Sequence, residues 1–406
     1  MPTVAEPGPA ALTGLAAAPL PPGATIGILG GGQLGRLMAI AARRFGYRSL
    51  ALDPDPEAPA AGVVERLIVA SYADREAAFA LADGSDVVTY ELEHVDADVV
   101  AALAADHAVR PGLAALRATQ DRLAERRFLV GQGAGLAAWH AVHDLDDLRS
   151  GVADLGLPCR LKAAFGGYDG RSQLRLTSPD ALPAAFATLG GGARPLLLER
   201  EIAFAAELSV VCARGLDSAT RPFPVARNRH DEGILVESVV PAGIPTSVAE
   251  AAQALAAQLA EALGLVGLLT VELFLLPDGE LLVNELAPRV HNSGHWTLDA
   301  CATSQFEQHV RAISGLPLGP VEMTAPAAAM VNLLGSGAAR PARLEGLAAA
   351  LADPDVRITL YDKRRVFERR KMGHLTALAT GPEEALARAR AAARLLSWGD
   401  SSSSTG

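Results

Sequence analysis

Over the first hundred residues, short apolar runs alternate with stretches of helical spacing. Thr25–Leu29 reads as a strand, and Leu34, Leu37, Met38, Ala41 and Phe45 then recur on one helix face. Further strands are expected at Ser49–Asp53, Leu67–Val69 and Asp86–Tyr90, with helices between them. Such alternation predicts βαβ units around a parallel sheet, ending near Pro111–Gly112. A helix from about Leu113 to Val130 leads into a region of different texture. There Pro158–Phe165 and Arg171–Leu176 read as two strands joined by Gly166-Gly167-Tyr168-Asp169-Gly170. A helix near Pro179–Leu189 and a strand at Pro195–Glu199 follow. Antiparallel runs then fill 207–242, an alanine-rich helix fills 247–263, and a hairpin spans 268–286. The stretch from Glu322 to Trp398 mixes strands and helices, so the fold class is α/β followed by α+β.

Composition narrows the function classes. The 406 residues suffice for two or three domains, and the net charge of −10 argues against nucleic-acid or membrane-surface binding. An anionic substrate must therefore meet a local basic cluster. Cys159, Cys212 and Cys301 are far apart without metal-ligand spacing, as suits reduced thiols in a cytoplasmic protein. Residues 1–22 are rich in Ala and Pro and hold no Lys or Arg, the first basic residue being Arg36. A secretory signal begins with positive charge, so this stretch is expected to be a disordered leader. Residues 399–406 are expected to be a flexible tail. Leu263 to Leu276 is the most apolar stretch, and it is too short to cross a bilayer.

Two features carry candidate chemistry. Gly30-Gly31-Gly32-Gln33-Leu34-Gly35 fits G-x-G-x-x-G between a strand and a helix, with Asp53 downstream. Its glycines allow a phosphate to approach the backbone, which by itself admits an NAD-binding oxidoreductase or a turn that binds nothing. The second feature is the hairpin at Pro277-Asp278-Gly279. A two-residue Asp-Gly turn would set Pro277 opposite Glu280 and therefore Glu272 opposite Glu285. Two like charges so placed destabilise a sheet unless a cation lies between them, and hard oxygen ligands suit Mg²⁺. Asn284 should point to the other face unless the strand ends or bulges there. The polar segment Ala287–Trp296, with Arg289, His291, Asn292, Ser293 and His295, follows directly, as a reaction loop would.

Asn284–Arg289, His291–His295 and Gly166–Gly170, together with Gly30–Arg36 and Lys371–His374, resemble the 5-(carboxyamino)imidazole ribonucleotide synthases, which are ATP-grasp enzymes. The resemblance covers nearly the whole chain. It implies a Rossmann-like pre-ATP-grasp domain over 23–112, an ATP-grasp domain over 113–318 with a lid at about 135–200, and a small C-terminal domain over 319–398. It also implies that ATP, bicarbonate and 5-aminoimidazole ribonucleotide give the N5-carboxylated product, ADP and phosphate. Mg²⁺ would be held by Glu272 and Glu285, and the enzyme would form homodimers.

By the same resemblance, Arg122 and Lys162 contact ATP phosphates, and Gly167, Tyr168, Asp169, Gly170, Arg171, Ser172 and Gln173 close over the nucleotide. Glu199, Arg200, Glu201 and Ile202 form the adenine hinge, and Glu207 holds the ribose. His230, Asn284 and Glu285 complete the ATP contacts. Arg289 and His291 hold bicarbonate and carboxyphosphate, and Tyr168, Asp169 and Arg171 reach the second substrate. Gly32, Gln33, Leu34 and either Glu91 or Glu93 meet the aminoimidazole nucleotide.

Lys363, Arg364, Arg365, Arg369, Arg370 and Lys371 form a basic cluster, which the resemblance assigns to the 5′-phosphate through Lys363, Lys371 and either Arg370 or Arg369. Phe367-Glu368 stands where the family pattern has Pro-Gly, in a segment one residue longer, and Ala163-Ala164 follows Lys162 where polar and basic residues are usual. The rivals are a formate-dependent glycinamide ribonucleotide transformylase and a non-catalytic nucleotide-binding module.

Overall fold

A computed structural model describes residues 18–166 and 172–399 of the chain. The first unit comprises β1 (Thr25–Leu29), α1 (Gln33–Arg43), β2 (Arg48–Asp53), β3 (Arg66–Val69), α2 (Arg75–Asp83), β4 (Val87–Tyr90) and α3 (Ala97–Leu103). Its four strands are all parallel in the order β3-β2-β1-β4. Chain order reverses at β1, so the loops after β1, β2 and β4 meet at one edge, where ligands bind in such sheets. Residues 1–17 lie outside the described residues. Of the rest of the expected leader, Leu20 is packed: its N–H donates to the Ser314 carbonyl at 2.9 Å, and its carbonyl accepts from the Tyr47 hydroxyl at 2.8 Å. The leader reading therefore fails for Leu20. Of the expected tail, only Gly399 is described, and its N–H donates to the Arg343 carbonyl.

The single helix expected over 113–130 is two, α4 (Leu113–Gln120) and α5 (Arg122–Gly131). Asp121 leaves the helical region at φ −113°, ψ 113°, and its carboxylate accepts from the N–H groups of Leu123 and Ala124. An aspartate can carry a helix pattern in sequence while capping a new helix in space. The result is a fresh helix N-terminus that begins at Arg122.

β5 (Trp139–Val142), α6 (Leu145–Leu155), β6 (Cys159–Ala163), β7 (Gln173–Leu176), α7 (Leu182–Thr188) and β8 (Leu196–Arg200) form a small layer with antiparallel order β5-β8-β6-β7. Its own core includes Leu148, Leu161, Leu182 and Leu198.

A larger antiparallel sheet follows. Its elements are β9 (Ala206–Arg214), β10 (Thr220–Pro222), β11 (Ala226–Asp231), β12 (Ile234–Val240), α8 (Thr246–Ala262), β13 (Gly267–Leu275), β14 (Leu281–Ala287), α9 (Thr297–Ala300), α10 (Gln305–Ser314) and β15 (Ala327–Leu334). β16 (Arg340–Pro341), β17 (Leu344–Glu345), α11 (Leu347–Ala350), β18 (Val356–Leu360), β19 (Arg365–Val366), β20 (Lys371–Ala379), α12 (Pro382–Ala393) and β21 (Ser397–Trp398) complete the chain. The main path runs β14-β13-β9-β11-β12-β15-β20-β18, with β10 on β9. Because β12 pairs with β15, the sheet runs on past residue 318 without a break in its hydrogen bonding. Glu237 of β12 reinforces that seam, accepting from Arg229 of β11 and Arg390 of α12. On the other side α1 packs against α10 through Leu34, Leu37, Met38, Phe306, Val310 and Ile313.

Asp121→Ala should cost about 1 kcal/mol of stability, the usual worth of a helix cap, whereas Asp121→Asn keeps a competent cap and should cost less. Urea midpoints of the two variants check this.

Candidate active site

The β13–β14 hairpin closes differently from the expected turn. Leu276, not Pro277, stands across from Glu280: its N–H donates to the Glu280 carbonyl and its carbonyl accepts from Gly279, which adopts φ 94° at the end of a three-residue loop. Facing pairs near the turn, such as Phe274 with Leu282, are thus one residue off the expected register. A bulge then restores it: Leu273 faces Val283, Glu272 faces Glu285, and Asn284 is the extra residue between them. The two carboxylates are opposed because two one-residue departures cancel. The bulge also turns Asn284 inward, its amide donating to Glu272 Oε2 at 3.5 Å.

Burial and the charge of Glu285 push the Glu272 carboxyl up to about 7. The Glu285 side chain is the more exposed of the two, and Arg122, Lys162 and Arg289 hold it below the usual carboxylate range against the desolvation that opposes them. Arg122 Nη1 lies 3.4 Å from Glu285 Oε2. Two buried carboxylates with one pushed toward protonation make a donor set short of a cation, and they fit a hard divalent ion.

Behind this pair lies a buried network that the sequence reading missed. Arg126 of α5 donates to Glu199 Oε1 of β8 at 2.7 Å, to Glu125 Oε1 at 2.7 Å and to the bulged Asn284 carbonyl at 2.6 Å. Glu125 Oε2 accepts from the Leu286 N–H at 2.9 Å, gripping β14 on the other side of Glu285. Lys162 Nζ meets Glu199 Oε2 at 2.6 Å. Although burial opposes it, Lys162 and Arg126 hold Glu199 down to about 2. Arg126 sits at i+3 from Leu123 and i−3 from Leu129, all three buried. A charge on the apolar face of a helix was the available signal.

The glycine loop already holds two carboxylates of the chain itself. Gly31 N–H donates to Asp53 Oδ2 at 2.7 Å, and the Gly32 and Gly35 N–H groups donate to the two oxygens of Glu91. A Cβ on Gly30 or Gly32 would collide with the Glu91 side chain. The glycines therefore make room for Glu91 at the helix N-terminus, where a dinucleotide pyrophosphate would otherwise bind. That corrects the NAD-binding reading. Glu93 instead pairs with Arg289 Nε at 2.8 Å. Burial raises Glu91 against the pull of the two N–H donors.

These parts line one cavity of about 1430 Å³. Gly32, Gln33, Leu34, Glu91, Arg122, Lys162, Ser172, Gln173, Glu199–Ile202, Glu207, His230, Glu272, Asn284, Glu285, Arg289, His291 and Lys371 all contribute to it. Gly167, Tyr168, Asp169, Gly170 and Arg171 lie outside the described residues. His230 Nδ1 lies 2.9 Å from Glu207 Oε2; burial would lower its pKa, but Glu207 and the nearby carboxylates raise it overall. Phe204 and Phe274, unforeseen from sequence, stack at 4.7 Å between ring centres on the cavity wall. His291 Nδ1 accepts from the Ser293 N–H at 3.3 Å, which leaves the ring proton on Nε2, 3.8 Å from Glu272 Oε1. Burial and Arg289 keep this imidazole neutral.

The basic cluster divides. Lys371 reaches the cavity, while Lys363 Nζ donates to the Lys371 carbonyl at 2.7 Å and lies over the Tyr361 ring. Arg369, in the left-handed region at φ 63°, turns to Asp231 and Glu232. Arg370 donates to the Arg365 carbonyl and stacks on Phe367, outside the cavity lining.

Comparison with known proteins covers most of the chain. Residues 23–120 match the ribonucleotide synthetase preATP-grasp domain, 127–306 the ATP-grasp domain, and 328–388 the phosphoribosylaminoimidazole carboxylase C-terminal domain. The N5-carboxyaminoimidazole ribonucleotide synthase of Brucella melitensis is 45% identical over 359 residues, which is 88% of this chain and 97% of that one. An N5-carboxyaminoimidazole ribonucleotide synthetase crystallised with ADP superposes with a TM-score of 0.85 at 41% identity, covering 93% and 98% of the two chains. The Aspergillus clavatus synthase in complex with ADP and 5-aminoimidazole ribonucleotide gives 0.84 at 31% identity, covering 92% and 98%.

Glu199 sets an acid limit on stability. Its folded pKa lies below the unfolded value, so its contribution is complete above about pH 4.5 and is lost as pH falls toward 2. Glu199→Gln should flatten the acid-unfolding curve in that window. At neutral pH it should destabilise by about 3–5 kcal/mol, because Arg126 and Lys162 lose a buried partner.

Proposed function

The chain belongs to the N5-carboxyaminoimidazole ribonucleotide synthase family of ATP-grasp ligases, and on that premise we propose how its residues divide the work. It converts 5-aminoimidazole ribonucleotide to the N5-carboxylated nucleotide at the expense of ATP, in purine biosynthesis. The observation that carries the residue assignment is the convergence of Glu272, Glu285, Arg122, Lys162, Arg289 and His291 on one cavity.

In this reading ATP lies along the cleft between the β5–β8 layer and the main sheet. Arg122 and Lys162 face its phosphates, Glu199–Ile202 its adenine, and Glu207 its ribose, with His230 and Asn284 beside it. Ser172 and Gln173 border the same cleft, and the segment Gly167–Arg171 is the proposed cover. Glu272 and Glu285 would hold Mg²⁺, which when bound neutralises charge on the phosphates.

Bicarbonate sits against Arg289 and His291. Arg289, always charged and oriented by Glu93, offsets the anion, and the neutral His291 presents its Nε2–H as a donor. A bicarbonate oxygen attacks the γ-phosphorus, the bond to ADP breaks, and carboxyphosphate forms. The exocyclic amine of the aminoimidazole then takes the carboxyl carbon, directly or as released CO₂, while the amine loses a proton and phosphate leaves. Fixed donors in a buried pocket stabilise these charges at no cost of reorganisation. The pocket also keeps water from an intermediate it would destroy.

Gly32, Gln33, Leu34 and either Glu91 or Glu93 are assigned to the aminoimidazole nucleotide; both carboxylates line the cavity, the first held by the Gly32 and Gly35 N–H groups and the second by Arg289. Lys371 is the proposed phosphate contact inside the cavity; Lys363, bonded to the Lys371 carbonyl, and Arg370, bonded to the Arg365 carbonyl, are not among the residues that line it. Among the described residues no helix is long and apolar enough to cross a membrane. A cytoplasmic homodimer is the assembly we propose.

Glu285→Gln tests the metal assignment. Turnover should fall on the order of 10²-fold at ordinary Mg²⁺, and the Mg²⁺ concentration giving half-maximal rate should rise. Undiminished turnover at ordinary Mg²⁺ would remove Glu285 from the metal site.

A further inference from the structure

Between the reaction loop and the C-terminal strands runs a line of buried polar side chains for which the reaction scheme above has no use. Gln305, His295 and His374 are each fully buried, as is Tyr361. Gln305 opens α10, and its own backbone is pinned, its N–H donating to Thr297 Oγ1 at 2.9 Å. The side-chain amide grips both backbone groups of His291. Its Oε1 accepts from the His291 N–H at 2.9 Å, and its Nε2 donates to the His291 carbonyl at 2.7 Å.

The second Nε2 hydrogen of Gln305 goes to His295 Nδ1 at 3.0 Å, so that nitrogen is an acceptor and the His295 proton sits on Nε2. The His295 ring lies 4.8 Å, centre to centre, from the His374 ring, and His374 Nδ1 lies 2.9 Å from the Tyr361 hydroxyl. Lys363 stands over the Tyr361 ring and bonds the Lys371 carbonyl three residues before His374. A line of hydrogen bonds and ring contacts thus joins the loop that carries Lys363 and the strand β20, which carries Lys371, to His291, and through His291 to Glu272.

Space alone does not explain this choice of side chains. Trp296, Phe306 and Met330 belong to the apolar cores nearby, and an aliphatic residue would fill the place of either imidazole. The hydrogen bonds of Gln305 to His291 and His295, and of His374 to Tyr361, have direction, which apolar packing lacks, and directional bonds fix a neighbour's position to a fraction of an ångström; the two imidazoles themselves meet by ring contact. Burial holds both imidazoles in the neutral form that this array requires.

We propose that Gln305, backed by His295 and the His374–Tyr361 pair, is the positioning residue that sets His291 for carboxyl transfer. The same line registers that setting against the loop carrying Lys363 and the strand β20 carrying Lys371. The proposal rests on the role assigned to His291 above. A misplaced His291 still lets ATP bind, because the contacts assigned to ATP lie elsewhere, but carboxyphosphate then meets water before it meets the amine.

The full-length enzyme carrying Gln305→Leu, His295→Leu, His295→Asn or His291→Ala is assayed for kcat, for KM of ATP and of the ribonucleotide, and for carboxylated product formed per ADP released. Thermal midpoints are measured alongside. Gln305→Leu should lower kcat by on the order of 10²-fold with KM for ATP nearly unchanged, and product per ADP should drop below one. His295→Leu should follow in the same direction. His295→Asn, which keeps an acceptor where Nδ1 stood, should recover most of the coupling.

If Gln305→Leu does not fold, the His295→Leu and His295→Asn pair decides the matter alone. Full coupling and near-normal kcat in Gln305→Leu, or in His295→Leu when it decides alone, would overturn the proposal. So would a loss in step with the thermal midpoint that His295→Asn does not relieve. His291→Ala separates the two levels: if it turns over normally, the role of His291 itself falls. If it is impaired while Gln305→Leu is not, only the positioning claim falls.

Discussion

Two carboxylates buried side by side on a hairpin repel one another, and the residues around Glu272 and Glu285 answer that repulsion. Arg122 stands against Glu285, the bulged Asn284 bonds Glu272, and Arg126 and Glu125 clamp the backbone on either side of Glu285. Even so, Glu272 is pushed up to about 7. A cation held between them would offset that repulsion, which is the ground for the Mg²⁺ site proposed above.

Positive charge elsewhere in the cavity is committed in a graded way. Arg126 is fully buried and structural, joining α5, β8 and β14 into one rigid corner. Lys162 is shared between Glu199 and the cavity, and Arg289 is steered by Glu93. On the far side, the carboxylate of Glu91 takes the N–H groups of the glycine loop. An acidic protein therefore binds anions through a few fixed cations in a pocket, and its net charge of −10 does not oppose this.

Much of this was legible in the sequence. β1 runs over the five residues expected, and β2, β3 and β4 begin within one residue of their expected starts; β1 and β4 are buried along nearly their whole length, and a strand buried on both faces leaves a continuous apolar run. The break at Asp121 was hidden, since an aspartate between two helical patterns reads equally as a surface residue. The opposition of Glu272 and Glu285 was read from an Asp-Gly turn that does not form as expected. No glycine or proline announced the bulge at Asn284 that compensates. Glu91 and Glu93 could not be separated by pattern, because their different partners, the glycine-loop N–H groups for one and Arg289 for the other, exist only in three dimensions. Arg126 and Gln305 were missed for the opposite reason: polar residues in helices are expected on the solvent side, and only packing shows otherwise.

The chemistry assigned to the cavity requires that phosphoryl transfer to bicarbonate and capture by the aminoimidazole nucleotide occur together. ADP release with each substrate withheld in turn measures this most directly. ADP should form at full rate only when ATP, Mg²⁺, bicarbonate and 5-aminoimidazole ribonucleotide are all present, and should fall sharply when bicarbonate is withheld. ADP release at an unchanged rate without bicarbonate would contradict the account.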